Sequence, residues 1–458
     1  MDNGLQNTSS FKDTSGFIFQ KDGKYYRQVN KSYASDYELL ISSGIYETLT
    51  SKNLLIPHTE ETYNQIQSND GYKILSPEQI PFISYPYEWC FEQLKDASLL
   101  TLRICKLAVR KGMILKDASP FNVQFHKGKP VFIDTLSFEI YDPAKPWIAY
   151  RQFCESFLFP LLLNHYLGID AQKWLSLYLE GIPVDITAKL LPFRSRFNLG
   201  AFLHVFLQNM VLKKHGKQDL QSETFSQAKL LRILNHLESV VRKMRVKSSI
   251  RSEWNHYYRE TILSQAYLNQ KESLLKTLTS DIQNNMVLDL GCNDGYFSKI
   301  MSKCSQSVIA ADFDCQCINR LYFSIKQDGI SNILPLIIDI TNPTPAIGFM
   351  NNERMAFLQR IHVDIVLALA LIHHLVLGKN IPLPFIARQF SQLSARWLII
   401  EFVPLEDEKV KLIIANKTSY QEPYNSIAFE DNFNVYFVIE KKLIVPGTER
   451  ILYRMKKR

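Results

Sequence analysis

The chain has 458 residues, 46% of them hydrophobic and 21% charged, with a formal net charge of +8. That length predicts two or three domains, and that composition excludes a disordered chain. The charge, small for the length, permits an acidic partner without requiring one, so nucleic acid is not expected. Seven irregularly spaced cysteines read as reduced thiols rather than a disulfide framework.

The opening Met1-Asp2-Asn3-Gly4 has no apolar core, so no secretory leader is read. The apolar runs 157–163 and 365–377 are too short to span a bilayer. The expected location is therefore cytoplasmic. Residues 1–210 are predicted to form an N-terminal α+β domain. It opens with Gly16–Gln20, an Asp22-Gly23 turn and Lys24–Val29, which together read as a hairpin. A helix is predicted from Asp36 to about Leu49 and another from Leu99 to about Lys111. The loop Lys116–Asn122, a second hairpin and Asp134 follow, and residues 147–210 read as mostly helical. Residues 211–250 read as a basic helical connector, with Lys213, Lys214 and Lys217 near its start and Arg242 to Lys247 near its end. No aromatic stacking pattern accompanies that charge, which favours a solvated helix face.

From residue 251 to 458 strands and helices alternate, which predicts a doubly wound, mainly parallel sheet with an antiparallel terminal pair. The predicted strands are Met286–Leu290, Ser307–Asp312, Ile333–Ile338, Asp364–Ala368, Trp397–Phe402, Phe433–Ile439 and Glu449–Lys456. The most informative stretch is Val287 to Ser298. An apolar strand ends in Asp289, and a turn Gly291-Cys292-Asn293-Asp294-Gly295 leads into a helix. Glycines there permit a tight turn and close backbone approach to a ligand. The spacing is neither the Gly-x-Gly-x-x-Gly of dinucleotide sites nor a Walker loop. In such a sheet a ligand lies at the carboxyl ends of the strands. Asp312 ends the second strand and can accept from ribose hydroxyls; Asp339 follows the third and can accept an exocyclic amine. Cys315-Gln316-Cys317 is too tight for zinc, and no metal site is read.

The turn with Gly291 and Gly295 resembles motif I of class I S-adenosylmethionine (SAM) dependent methyltransferases, with Asn293 where many carry a glycine. Ser252 to Tyr258, Tyr267 and Lys271 are similar to the entry segment of one bacterial subgroup. Val363 to Leu375 and Ile400 to Pro404 resemble the fourth- and fifth-strand segments. Ser84 to Trp89, Lys116 to Asn122 and Phe132 to Glu139 are similar to the subgroup's N-terminal half, some of whose members are related to the nodulation protein NoeA. The resemblance spans nearly the whole chain. It implies a Rossmann-like methyltransferase domain whose cofactor is SAM. Asp289 and the Gly291–Gly295 turn would lie by the methionine moiety, Asp312 by the ribose and Asp339 by the adenine. Cys292, Asn293, Tyr267 and Lys271 complete the expected cofactor set.

His373, His374 and Glu401 follow strands near where an acceptor should lie and are the candidate catalytic groups, with framework roles as the alternative. The acceptor itself is unidentified, and a small molecule or glycan-type O or N nucleophile is favoured. One alternative is a non-catalytic SAM-binding scaffold. Another starts from Asp117, Asn122 and Asp134, whose spacing resembles that of protein kinases and aminoglycoside-phosphotransferase-like enzymes. That resemblance implies a kinase-like N-terminal fold and a bifunctional protein. The missing glycine-rich loop, and Arg27 in place of the strand lysine, depart from that pattern.

Overall fold

A computed structural model describes residues 8–61, 69–215, 226–247, 265–283, 285–415, 417, 419–421 and 423–458. The expected entry segment Ser252 to Tyr258 lies outside these. The chain divides into two compact units, residues 1–250 with 346–355, and residues 251–345 with 356–458.

In the first unit, β1 (Gly16–Lys21) and β2 (Lys24–Asn30) form the predicted hairpin. Asp22 and Gly23 both take positive φ, as a two-residue turn between twisted strands requires. With β3 (His58–Glu61) and β4 (Gly71–Pro77) they make an antiparallel sheet in the order β1-β2-β4-β3. The helix expected from Asp36 to Leu49 is two helices, Ala34–Ser42 and Ile45–Ser51. Gly44, at φ 72°, breaks it. Val29, Tyr33, Tyr37, Leu75 and Leu136 pack together beneath the sheet.

The helix expected to start at Leu99 starts at Phe91 and runs to Val109. Cys90 and Gln93 close its first turn through a backbone-to-side-chain bond of 2.9 Å. Two short pairings follow, from β5 (Met113–Leu115), β6 (Val123–His126), β7 (Lys129–Phe132) and β8 (Phe138–Ile140). β5 pairs with β8 and β6 with β7.

The expected connector is helical over residues 211–215 and 227–243, but the second of these helices is not a solvated span between domains. Helix Gln227–Lys243 buries Leu230, Leu234, Leu237 and Val241 on one stripe and packs on Phe91–Val109 within the first unit. The Lys106 ammonium pairs with Glu238, and Lys95 donates to the Met244 carbonyl at 2.8 Å. Residues 346–355 belong to this unit as well. Lys12 pairs with Glu353 at 2.7 Å, and the Tyr85 hydroxyl accepts from the Met355 N–H at 3.1 Å. Nothing in the sequence pattern signals that excursion.

The second unit holds β9 (Met286–Leu290), β10 (Ser307–Asp312), β11 (Ile333–Ile337), β12 (Val363–Ala368), β13 (Ser394–Phe402), β14 (Phe437–Ile444) and β15 (Ile451–Lys457). They form one sheet in the order β11-β10-β9-β12-β13-β15-β14. The first five strands run parallel, and β15 is antiparallel to β13 and β14. Helices cover both faces of a parallel sheet, which is why β9, β10 and β12 read as near-continuous apolar runs. β14 begins four residues later than expected, because Ser426–Phe433 is a helix capped by the Asn425 side chain. Chain order reverses between β10 and β12 on either side of β9. That reversal opens a crevice at the carboxyl ends of these strands.

Candidate functional site

The crevice is built on the turn after β9. Gly291, Asn293 and Gly295 have φ of 71°, 52° and 80°. Three left-handed residues in five confine the turn to glycine and to the side chains that tolerate that region, of which asparagine is one. Asn293 thus holds a glycine-like conformation without being glycine. A Cβ on Gly295 would stand 2.4 Å from the Leu321 side chain, so this glycine also sets how closely helix Cys315–Gln327 approaches.

The turn is tied to the end of β10. Gly291 donates to the Ala311 carbonyl at 2.8 Å, and Asn293 donates its backbone N–H to Asp312 Oδ2 at 2.8 Å. Asp312 Oδ1 accepts from Asp314 N at 2.9 Å. Each carboxylate oxygen thereby keeps a further lone pair for a ligand. Burial pushes the Asp312 carboxyl up to about 6 against those two N–H donors. Asp289 is more deeply buried, and that burial pushes it up to about 7, opposed by the Ser298 hydroxyl at 2.5 Å.

These groups line one cavity of about 230 Å³. Every predicted cofactor residue except Gly295 faces it: Asp289, Gly291, Cys292, Asn293, Asp312, Asp339, Tyr267 and Lys271. Gly295 acts through packing instead. Asp339 is exposed at the rim, where its side chain also accepts from the Thr341 N–H and hydroxyl at 2.9 and 2.7 Å. Burial holds the Cys292 thiol well above its usual range, so it is no thiolate nucleophile.

The candidate catalytic residues separate. His374 lines the cavity; His373 does not. His373 is fully buried, and among the described residues neither ring nitrogen has a hydrogen-bond partner. Burial, with Lys409 and Arg450 nearby, lowers His374 to about 4, so its ring is neutral at pH 7. Glu401 is the penultimate residue of β13 and is not among the residues that line the cavity. Lys271 Nζ is 2.5 Å from its carboxylate and Arg450 3.5 Å, and the Tyr267 hydroxyl donates to it at 3.2 Å. Burial alone would raise Glu401, but the two cations carry it below the usual carboxylate range.

Sequence reasoning missed Arg450, which lines the cavity and grips Asp407 through two bonds of 2.7 and 3.0 Å. It also donates to the Tyr267 hydroxyl at 2.9 Å, across 183 positions of sequence, and no local motif marks such a partner. Ala370 was missed too. It lines the cavity at φ 52°, a strained value for alanine that places the chain after β12 tightly against the site. Phe297 and Phe313 complete the apolar lining.

No family model matches the sequence. The nodulation protein NoeA of Rhizobium meliloti (strain 1021) is 30% identical over 453 residues, covering 97% of this chain and 94% of that one. The chain belongs to the NoeA family. Membership spans both units, as the expected resemblance did. The mainly parallel sheet of this NoeA-family chain, with its order reversing beside β9 and acidic residues at its strand ends, has the expected Rossmann-like form. Among solved structures, the N-methyltransferase NodS from Bradyrhizobium japonicum WM9 is 12% identical, matching 42% of this chain and 98% of its own with a TM-score of 0.33. Magnesium protoporphyrin IX methyltransferase (ChlM) from Synechocystis PCC 6803 is 14% identical, matching 42% and 80% with a TM-score of 0.29. At these scores the structural likenesses carry no argument of their own. No helix among the described residues is long and apolar enough to cross a membrane.

Proposed function

We propose that the second unit transfers a methyl group from SAM to an O or N nucleophile on a small molecule or glycan-type acceptor. The observation that carries this reading is the convergence of Asp289, Asp312, Asp339 and the Gly291–Asn293 backbone on one cavity. The residues fit the cofactor. Asp312 retains acceptor capacity for the two ribose hydroxyls, and Asp339 stands at the rim for the adenine amine. Lys271 and Arg450 line the same cavity and would supply positive charge for the methionine carboxylate, and Asp289 would take the amino group. When bound, SAM supplies a methyl on a sulfonium, already electrophilic, so the enzyme's work is alignment and exclusion of water.

His374 is the residue we assign to the acceptor. Its ring is neutral at physiological pH and can accept a proton from the nucleophile or orient it by a hydrogen bond. Glu401 is a positioning residue that holds Lys271, Arg450 and Tyr267. Binding of SAM or its demethylated product, measured by calorimetry on the wild type and Asp312→Ala, tests the cofactor site. Undiminished affinity in that variant would refute it. Labelled SAM with fractionated lysate, followed by mass analysis of what gains the methyl, identifies the acceptor.

For the first unit the strand order supports a kinase-like fold. A hairpin, a helix, a strand pair, the Lys116–Asn122 loop, a second hairpin and Asp134 succeed one another in the order kinases use. One pairing argues against phosphoryl transfer. The Arg27 guanidinium on β2 is paired with Asp134, which also accepts from the Ser137 hydroxyl. The carboxylate a kinase would give to magnesium is already taken up within the protein. We therefore read this unit as an accessory domain and not as a second enzyme.

A further inference from the structure

Methyl transfer leaves one part of the first unit without a use. Between Leu190 and Leu199 the chain turns large apolar side chains outward. Leu190 is 40% exposed, Phe193 68%, Phe197 80% and Leu199 63%. The Phe193 and Phe197 rings meet edge to face at 5.6 Å, so they form one projection. Arg194 and Arg196 lie exposed beside them. The Arg196 guanidinium sits 5.5 Å from the Phe193 ring and 5.1 Å from that of Phe206. Among the described residues neither arginine has a carboxylate partner.

The projection stands on a fixed base. Ser195 is fully buried and donates to the Pro192 carbonyl at 2.6 Å, and the Asn198 side chain caps Ala201 at 3.1 Å. A Cβ on Gly200 would stand 2.5 Å from Val240, so this turn presses directly on helix Gln227–Lys243. The buried positions face the core, and the rings between them face outward because the backbone leaves them no other direction.

Charge decides what covers such a surface. Residues 186–213 contain no aspartate or glutamate and carry Lys189, Arg194, Arg196 and Lys213. Of these, Lys189 is paired with Asp185 at 3.1 Å. Outward phenylalanine and leucine, interleaved with arginine and free of acids, suit the boundary between head groups and acyl chains of an anionic bilayer. A second copy of this face would set arginine against arginine, which opposes self-association.

We propose that the first unit docks peripherally on membranes containing anionic lipid, with Phe193 and Phe197 entering the interface and Arg194 and Arg196 meeting phosphate groups. This rests on the surface alone and is independent of the methyl-transfer reading.

The test is co-sedimentation of the full chain with vesicles of phosphatidylcholine, with and without roughly a quarter of phosphatidylglycerol, at low and high salt. The anionic vesicles should carry the protein down and high salt should release it. The exposed-site variants Phe193→Ser/Phe197→Ser and Arg194→Glu should each weaken partitioning by about tenfold or more. Unchanged circular dichroism and an unchanged thermal melt would show that both variants fold. Equal partitioning by wild type and both variants would overturn the proposal, as would equal binding to neutral vesicles. A dimer seen by light scattering that disappears in the phenylalanine variant, without vesicle binding, would overturn it in favour of a second copy.

Discussion

The backbone N–H of Asn293 donates to the Asp312 carboxylate at 2.8 Å, joining the turn after β9 to the last residue of β10. The same carboxylate is the ribose acceptor of the proposed site, so the charge on Asp312 governs both the shape of the turn and the affinity for cofactor. Its carboxyl is pushed up to about 6 by burial, so the group is ionised above that pH and neutral below it. Affinity for SAM, or for its demethylated product, is expected to fall as pH drops from 7.5 to 5, by about tenfold per unit below 6. Asp312→Asn should bind more weakly throughout and lose the limb near 6. Calorimetry across that range decides; a flat dependence in the wild type would count against the assignment.

Asp289 gives a prediction about stability with the opposite sign. Its folded-state value, about 7, lies above the ordinary 3.8 because burial disfavours the charged form. The unfolded chain therefore ionises first, and this group's contribution to stability is lost as pH rises through about 7. Asp289→Asn keeps a hydrogen-bond acceptor for Ser298 without the buried charge. At pH 8 it should be more stable than the wild type by about 2–4 kcal/mol, and the gain should shrink toward pH 5. Cofactor affinity should drop in the same variant. Thermal melts at the two pH values, with and without cofactor, measure both effects.

Much of this site was legible because it is local. Asp289, Gly291 and Gly295 sit within seven residues, and a strand that is apolar on both faces announces its own end at Asp312. The parts that were not legible depend on distance. Arg450 reaches Tyr267 only because β15 lies beside β13 in the sheet, and nothing near Gly447 or Thr448 signals it. His373 and His374 look alike in sequence, yet one is sealed in the core and the other lines the cavity, since adjacent residues on a helical turn point to different sides. Helix Gln227–Lys243 carries an ordinary amphipathic stripe, which shows that it packs but not against what.

Glu401 tests the distinction between positioning and catalysis. It holds Lys271 and Arg450 without itself lining the cavity, so Glu401→Ala leaves the buried Lys271 without its carboxylate and Arg450 with Asp407 alone. The loss of stability is expected to be about 3–5 kcal/mol. Adding Lys271→Met to Glu401→Gln removes a charge from each side and should recover about 1–3 kcal/mol relative to the sum of the single changes. Denaturant melts of the four proteins give that coupling. In turnover, a positioning role predicts that Glu401→Gln raises KM for SAM more than it lowers kcat.

In the first unit, Arg27 and Asp134 are both mostly buried, with side chains 12% and 14% exposed, and the pair joins β2 to the turn after β7. Tyr33, packed in the cluster below, donates to the carbonyls of Thr135 and Phe138 on that same turn, so the ion pair and the core hold one junction together. Asp117, pushed up by burial and by Asp134, accepts from the Ser119 N–H at 2.9 Å and is likewise engaged within its own loop. Arg27→Ala should therefore lower stability by about 2–4 kcal/mol, because it leaves the Asp134 carboxylate with the Ser137 hydroxyl and the Leu136 N–H but no cation. Magnesium ATP should leave the melting temperature of the wild type unchanged, since a ligand that binds the folded state must raise it. A clear rise that Asp134→Asn abolishes would mean that Arg27 yields its partner to the metal, and the unit would then have to be read as a phosphotransferase.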